Sequence, residues 1–356
     1  MKIVFLGLSI TSSWGNGHAT NYRALVRALA ERGHAVLFLE RDVPWYAVQR
    51  DLPVPPWGLT ALYGSVEELR DEFSEEIRVA DLVVVGSYVP DGVAVAEWVL
   101  DIASGAVAFW DIDTPVTVAK LEAGDEEYLS RELVPRFDLY LSFTGGALLD
   151  RIGSEFGAER PRPFYCMADA GVYRPLEEDE PWLLGYLGTY SAGRQPALET
   201  LLLEPARRLR DRRFVVAGPQ YPAEVEWPEN VDRIEHLEPG KHPAFYARQR
   251  FTLNLTRPEM VRAGWSPSVR LFEAAACGVP AISDWWEGLD TFFEPGSEIL
   301  IAKSAAEVTR ILREVSYAEA RDIGTAARRR VLAAHTAERR AEELEAHVAA
   351  VTTVAA

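Results

Sequence analysis

Short apolar runs alternate with longer amphipathic stretches through the first half of the chain. Lys2 to Leu8 predicts a buried strand, Asn21 to Arg32 an amphipathic helix stopped by Gly33, and Ala35 to Glu40 the next strand. Leu82 to Gly86, Ala106 to Trp110 and Leu139 to Phe143 predict further strands, with helices near Val93 to Ala103 and Ala147 to Phe156. Strands alternating with helices make a parallel sheet covered on both faces, so a Rossmann-like domain is expected. The rhythm breaks at Arg174-Pro175-Leu176-Glu177-Glu178-Asp179-Glu180-Pro181, a proline-bracketed acidic segment that reads as a linker. It then restarts with a strand Leu183 to Leu187, a helix Pro196 to Leu209, and strands Arg213 to Ala217, Val231 to His236 and Phe251 to Leu255. The tail from Tyr317 is rich in alanine, arginine and glutamate and predicts helices long enough to cross back onto the first domain. The expected division is therefore a Rossmann-like domain over 1–172, a second Rossmann-like domain over 182–316, and returning helices over 317–356.

At 356 residues, 48% hydrophobic and 26% charged, the chain suits two globular domains. No apolar run reaches membrane-spanning length, and Met1 to Leu6 leads directly into a strand, so a cytoplasmic protein with no integral membrane segment is expected. Cys166 and Cys277 both stand in apolar surroundings, which suits buried thiols in a reducing compartment. The formal net charge of −17 repels nucleic acid, so no nucleic-acid partner is expected. The basic run Arg328-Arg329-Arg330 lies among glutamates and reads as a solvated helical face.

The most informative stretch is Ser266 to Ser283, which reads as a polar loop, a short helix, a glycine stop and a buried strand. The helix would start near Ser268, bury Leu271, Phe272 and Ala275, set Arg270 and Glu273 on one face, and end at Cys277-Gly278. A carboxylate there can accept two ribose hydroxyls, and the first turn offers backbone NH groups to an anion. The plainer reading is a surface helix with an Arg/Glu pair. In the same domain, Gly188-Thr189-Tyr190 with Arg194 lets small residues and a guanidinium approach a diphosphate. Asn254, Thr256 and Arg257 end a strand at the same rim, and His236-Leu237 follows a strand where its backbone can meet a base. Trp285-Trp286 stacks on a sugar or packs against the neighbouring domain.

In the first domain the loop Ser9 to His18 faces the ligand edge and lacks Gly-x-Gly-x-x-Gly, which weakens a dinucleotide dehydrogenase reading. His18 is a candidate general base or a structural histidine. Asp111 and Asp113 should lie on the same rim, to orient His18, bind an acceptor hydroxyl, hold a divalent metal, or simply form a turn before Pro115.

Together the residues Asn254-Leu255-Thr256, Ser268 to Pro280 and Phe293 to Glu298 resemble the CgeB-like branch of group 1 glycosyltransferases, and the whole chain resembles the GT-B class. The resemblance implies an α/β architecture of two Rossmann-like domains facing across a cleft. It also implies a nucleoside diphosphate sugar as co-substrate, an acceptor on the N-terminal domain, and no obligatory metal or cofactor. By motif position Glu273 would bind the donor ribose and Arg270 or Arg257 the diphosphate, with Ser266 and Ser268 in the adjoining loop. Trp265 stands where retaining members carry a second glutamate, whereas His18 with Asp111 or Asp113 is similar to the base pair of inverting members. The expected activity is sugar transfer to a hydroxyl. The rivals are a nucleotide-sugar epimerase and a non-catalytic nucleotide-sugar binding protein.

Overall fold

The computed structural model describes residues 1–355, and they fold into two compact units: Met1–Cys166 together with the chain from Ala337 onward, and Met167–Thr336. In the first unit β1 (Lys2–Gly7), β2 (Ala35–Arg41), β3 (Leu59–Tyr63), β4 (Leu82–Gly86), β5 (Ala106–Asp111), β6 (Leu139–Ser142) and β7 (Pro161–Pro163) form a seven-stranded sheet in the order β3-β2-β1-β4-β5-β6-β7. All neighbours are parallel. The central strands are apolar on both faces, with Leu6, Val83, Val85 and Phe109 fully buried, as a sheet covered on both sides requires.

The second unit repeats the plan. Its six strands, β8 (Trp182–Leu187), β9 (Phe214–Ala217), β10 (Val231–Ile234), β11 (Gln249–Asn254), β12 (Ala281–Ser283) and β13 (Leu300–Ile301), run in the order β10-β9-β8-β11-β12-β13. Both sheets thus carry the doubly wound order, which reverses between β1 and β4 in one and between β8 and β11 in the other. Such reversals open a crevice at the carboxyl ends of the strands, where ligands bind.

Most expected elements are present, with shifted ends. The first helix runs His18–Glu31 and starts three residues before Asn21, so His18 is its first residue instead of a loop residue. The expected Pro196 to Leu209 helix is broken into Gln195–Leu198, a π turn Glu199–Leu203 and Glu204–Arg208, with prolines inside the first turns of the outer pieces. β3, β7 and the helices Val66–Arg78 and Thr114–Ala123 were not anticipated. β3 and β7 occupy the two edges of their sheet and lack the strongly apolar runs of its centre.

The tail that reads as one returning segment is divided. Helix Tyr317–Ala334 packs on the second unit: a Cβ at Gly324 would lie 2.0 Å from the Gly278 carbonyl oxygen, so only glycine permits this approach. Arg329 and Arg330 are exposed, as a solvated face requires, with Arg330 pairing with Glu298 at 2.9 Å, while Arg328 is half-buried and its Nε donates to the Ala276 carbonyl at 3.1 Å. Helix Ala337–Ala355 belongs to the first unit, where Glu345 pairs with Arg32 and His34, each at 2.7 Å. The Arg32 hydrogen bonds hold the Glu345 carboxyl down at about 2. The structure draws the division at 166/167 and 336/337, not at 172 and 317.

Candidate functional site

In the second unit the motif unfolds as its chemistry suggests. Ser268 precedes helix Val269–Ala276 in extended conformation, and the helix ends at Gly278, whose φ of 75° is the left-handed geometry that glycine accepts without strain. Ser283 ends β12, the next strand. Asn254, the last residue of β11, is the hub of the switch point. Its Oδ1 accepts the Ser268 hydroxyl at 2.8 Å and Arg270 Nη1 at 3.2 Å, while its Nδ2 donates to Ser283 Oγ at 3.0 Å. Thr256 donates through its backbone at 2.9 Å and its hydroxyl at 2.8 Å to Asp284, a carboxylate that sequence reasoning missed and that burial pushes up from its ordinary range.

Arg270 and Glu273 do not form the surface pair of the plain reading. Arg270 Nε donates to the Leu187 carbonyl and its guanidinium lies 5.0 Å over the Tyr186 ring, beside Gly188. A side chain at Gly188 would meet Arg270 Nη2 at 2.9 Å, which explains the glycine. Arg194 reaches back to the Thr189 carbonyl at 2.8 Å, while its buried Nε has no hydrogen-bond partner among the described residues. Burial first, and then the nearby charges of Arg270 and Arg257, lower the pKa of Arg194. Three cations brought together, one with an unsatisfied donor, form a setting that an anion relieves. Arg257 also lies 3.4 Å from Glu259. Tyr190 packs edge-on against Tyr221 at 5.6 Å, and Ser266 is buried, its hydroxyl donating to the Gly264 carbonyl at 2.7 Å.

Glu273 is 3% exposed. Its Oε2 accepts the Tyr246 hydroxyl at 3.3 Å and lies 4.0 Å from His242 Nδ1, two further residues the sequence did not single out. His236 is exposed and sits beyond the end of β10, which stops at Ile234 and not at His236. Trp286 is fully buried, its ring 5.8 Å from that of Phe292, which leaves no face for a sugar to stack on; Trp285 is the exposed member of the pair. A cavity of about 660 Å³ lies at the other end of the motif helix, against Cys277, Gly278 and Pro280. Its walls come from the amino ends of β11 and β12, the edge opposite the one where such sheets bind ligands.

In the first unit the loop after β1 is pinned by Glu40, at the end of β2. This fully buried carboxylate accepts the hydroxyls of Ser9 and Thr11 and the backbone NH groups of Ile10 and Thr11, all within 2.6 to 3.0 Å. Asn16 then bridges the loop, donating to the Ser9 and Ser12 carbonyls at 3.3 and 3.2 Å and accepting His18 N at 3.0 Å. The His18 ring meets Tyr88 edge-on at 5.4 Å, and the Tyr88 hydroxyl donates to Asp113 Oδ2 at 2.9 Å. Tyr88 follows β4 with φ 65°, a left-handed backbone that is uncommon for a large side chain and is found at functional loops.

Asp111 differs from its neighbour. It is the last residue of β5, fully buried, with Oδ2 accepting the Tyr140 hydroxyl at 2.7 Å and Oδ1 accepting Thr117 at 2.7 Å and the Asp113 NH at 3.1 Å. Burial raises its pKa to about 6 despite these donors. Through these bonds Asp111 orients the Asp113 turn. Thr114-Pro115 opens helix Thr114–Ala123 instead of closing a turn.

Residues 194–346 match a family model described as glycosyl transferase-like. No curated protein matches the chain significantly. Among solved structures, a sucrose-phosphate synthase from Thermosynechococcus elongatus is 15% identical with a TM-score of 0.67, covering 99% of this chain and 100% of that one. Anabaena HepE in complex with UDP-glucose is 13% identical with a TM-score of 0.72, over 98% and 100%. AviGT4, a glycosyltransferase involved in avilamycin A biosynthesis, is 18% identical with a TM-score of 0.61, over 99% and 98%. The two parallel α/β units together therefore have the fold of GT-B glycosyltransferases, and the second unit carries most of the glycosyl transferase-like sequence.

Proposed function

We infer that the protein is a glycosyltransferase that moves a sugar from a nucleoside diphosphate sugar to a hydroxyl-bearing acceptor, without an obligatory metal. The observation that carries this reading is the group Arg194, Arg257 and Arg270 at the switch point of a Rossmann sheet, within the segment that matches the glycosyl transferase-like family. A departing diphosphate needs positive charge fixed in advance, and three guanidiniums supply it where other enzymes use a cation. In this reading Arg270 and Arg194 meet the phosphates with Gly188, Thr189 and Tyr190, Ser268 and Asn254 hold Arg270 in place, and Glu273 accepts the ribose hydroxyls. A uridine nucleotide is the first donor to test, since solved neighbours carry UDP or UDP-glucose.

In the first unit we assign His18 as the general base for the acceptor hydroxyl, with Tyr88 and Asp113 as its surroundings, which favours inversion. Asp111 is a positioning residue. The charge of −17 favours a small acceptor over nucleic acid, although one neighbour, an alpha-glucosyltransferase, was solved with DNA. Among the described residues no helix is long and apolar enough to cross a membrane, and we place the protein in the cytoplasm. We place the chain in the CgeB-like branch on Ser268 to Pro280 and Phe293 to Glu298.

A thermal-shift panel of nucleotide sugars tests the reading, because a ligand at 100 times its dissociation constant adds about 2.7 kcal/mol. The stabilising donor should lose its sugar only when an acceptor is added, which an epimerase would not require. Glu273→Ala should weaken donor binding about 10- to 100-fold, the worth of one hydrogen bond to a charged group. Unchanged affinity in a folded variant would remove Glu273 from the site.

A further inference from the structure

Behind Glu273 lies a buried cluster of Tyr173, His242 and Tyr246 whose hydrogen bonds dictate one another. His242 Nε2 lies 3.2 Å from the Leu237 carbonyl, which can only accept, so in the neutral ring Nε2 carries the proton. Nδ1 is then an acceptor, and the Tyr173 hydroxyl, 3.2 Å away, can donate to it. The same hydroxyl also interacts with the nearby Glu273 carboxylate, to which its proton can turn when Nδ1 no longer accepts it. Tyr173 therefore has one proton, held by His242, and Glu273 as the alternative acceptor, while Glu273 Oε2 already takes the Tyr246 hydroxyl. The other titratable or charged groups that act on the imidazole are His236, on the loop after β10, and Arg270, on the motif helix; Cys277 lies by Glu273.

We propose that His242 is a positioning residue for the sugar donor, which as a neutral imidazole fixes the Leu237 loop and draws the Tyr173 proton toward itself, leaving Glu273 free to accept ribose hydroxyls. Protonation reverses the chain. Nδ1 becomes a donor, the Tyr173 oxygen accepts from it, and the Tyr173 proton turns onto Glu273. The carboxylate then faces two tyrosine donors and a cation whose Nδ1 is 4.0 Å away, and it competes less well for ribose. Burial pushes the His242 pKa below its ordinary value against the opposing pull of Glu273, so the neutral form prevails at neutral pH. Donor affinity should accordingly hold above the ordinary histidine range and fall as pH drops below it. The proposal rests on the reading of Glu273 as the ribose carboxylate.

The test is UDP-glucose binding to the full chain between pH 8 and pH 5, a probe whose diphosphate diester does not itself titrate there. Wild type should lose about 10-fold in affinity toward pH 5, within the usual range of coupling between two sites. His242→Gln keeps an amide to donate to the Leu237 carbonyl and cannot be protonated, so its affinity should be nearly flat; His236→Gln should keep the wild-type loss. Linkage provides a second readout on the unmodified protein: saturating UDP-glucose should lower the His242 pKa followed by NMR. A pKa unchanged or raised by UDP-glucose, or a His242→Gln profile equal to wild type, overturns the proposal. No binding of UDP-glucose even at pH 8 would overturn the uridine donor reading itself and take this proposal with it.

Discussion

The two switch points share a topology and differ in electrostatics. At the first, the carboxylates of Glu40 and Asp111 are satisfied from within, by four donors and three donors respectively. They are spent on holding the loops that carry His18 and Asp113. At the second, the gathered side chains are guanidiniums, and one of them keeps a buried donor without a partner among the described residues. Glu40 is instructive because an acidic residue at the end of the second strand is where dinucleotide-binding domains hold a ribose. Here its oxygens are taken by the β1 loop, which excludes that use. The same sheet order thus builds a pre-set frame whose carboxylates are satisfied from within in one unit and an incomplete frame rich in guanidiniums in the other.

The sharpest way to break this contrast is to remove His18. His18→Ala should lower kcat by about 100- to 10,000-fold, the usual worth of a general base, with donor affinity unchanged because the residues proposed to hold the donor lie in the other unit. A joint loss of donor affinity would mean that the two frames do not work separately. Removing Arg194 should act in the opposite sense. Arg194→Ala should weaken nucleoside diphosphate binding by about 10- to 100-fold, the worth of charge-assisted hydrogen bonds, and should not destabilise the apo protein by more than its bond to the Thr189 carbonyl. Equal affinity by calorimetry would assign the unpartnered Nε to packing.

Both sheets were legible because their central strands are buried on both faces and read as unbroken apolar runs, while β3 and β7, at the edges, were not. The motif helix was legible almost to the residue, since Ser268 and Gly278 mark its ends chemically. The contacts of Arg270 were not, because whether an i, i+3 pair meets or parts depends on what each finds elsewhere. Arg270 finds Leu187, Tyr186 and Asn254; Glu273 finds Tyr246. Tyr88, Glu40, His242 and Asp284 were missed because single polar residues at strand or helix ends carry no spacing signal, although ends of strands at a switch point are where such residues matter. The divided tail hides in composition: alanine-rich helices look alike whichever unit they cover, and Gly324 was the available mark of a close approach.

The smallest effect concerns the internally satisfied carboxylates of the first unit. Asp111 is held near 6 in the folded protein against an ordinary value of 3.8 because burial outweighs its three donors. The folded state therefore binds a proton that the unfolded chain releases between these values, and acidification from pH 7 to pH 4 adds stability from this group, of order 1 to 3 kcal/mol. Above pH 6 that contribution is gone. Asp111→Ala should lose this acid-side gain and should also leave the Tyr140 hydroxyl without its acceptor, so its deficit in stability grows as pH falls. Denaturant melts of wild type and variant at pH 7 and pH 4.5 measure the difference. A deficit that shrinks on acidification would show that Asp111 stays ionised to low pH in the folded state, its three donors outweighing burial.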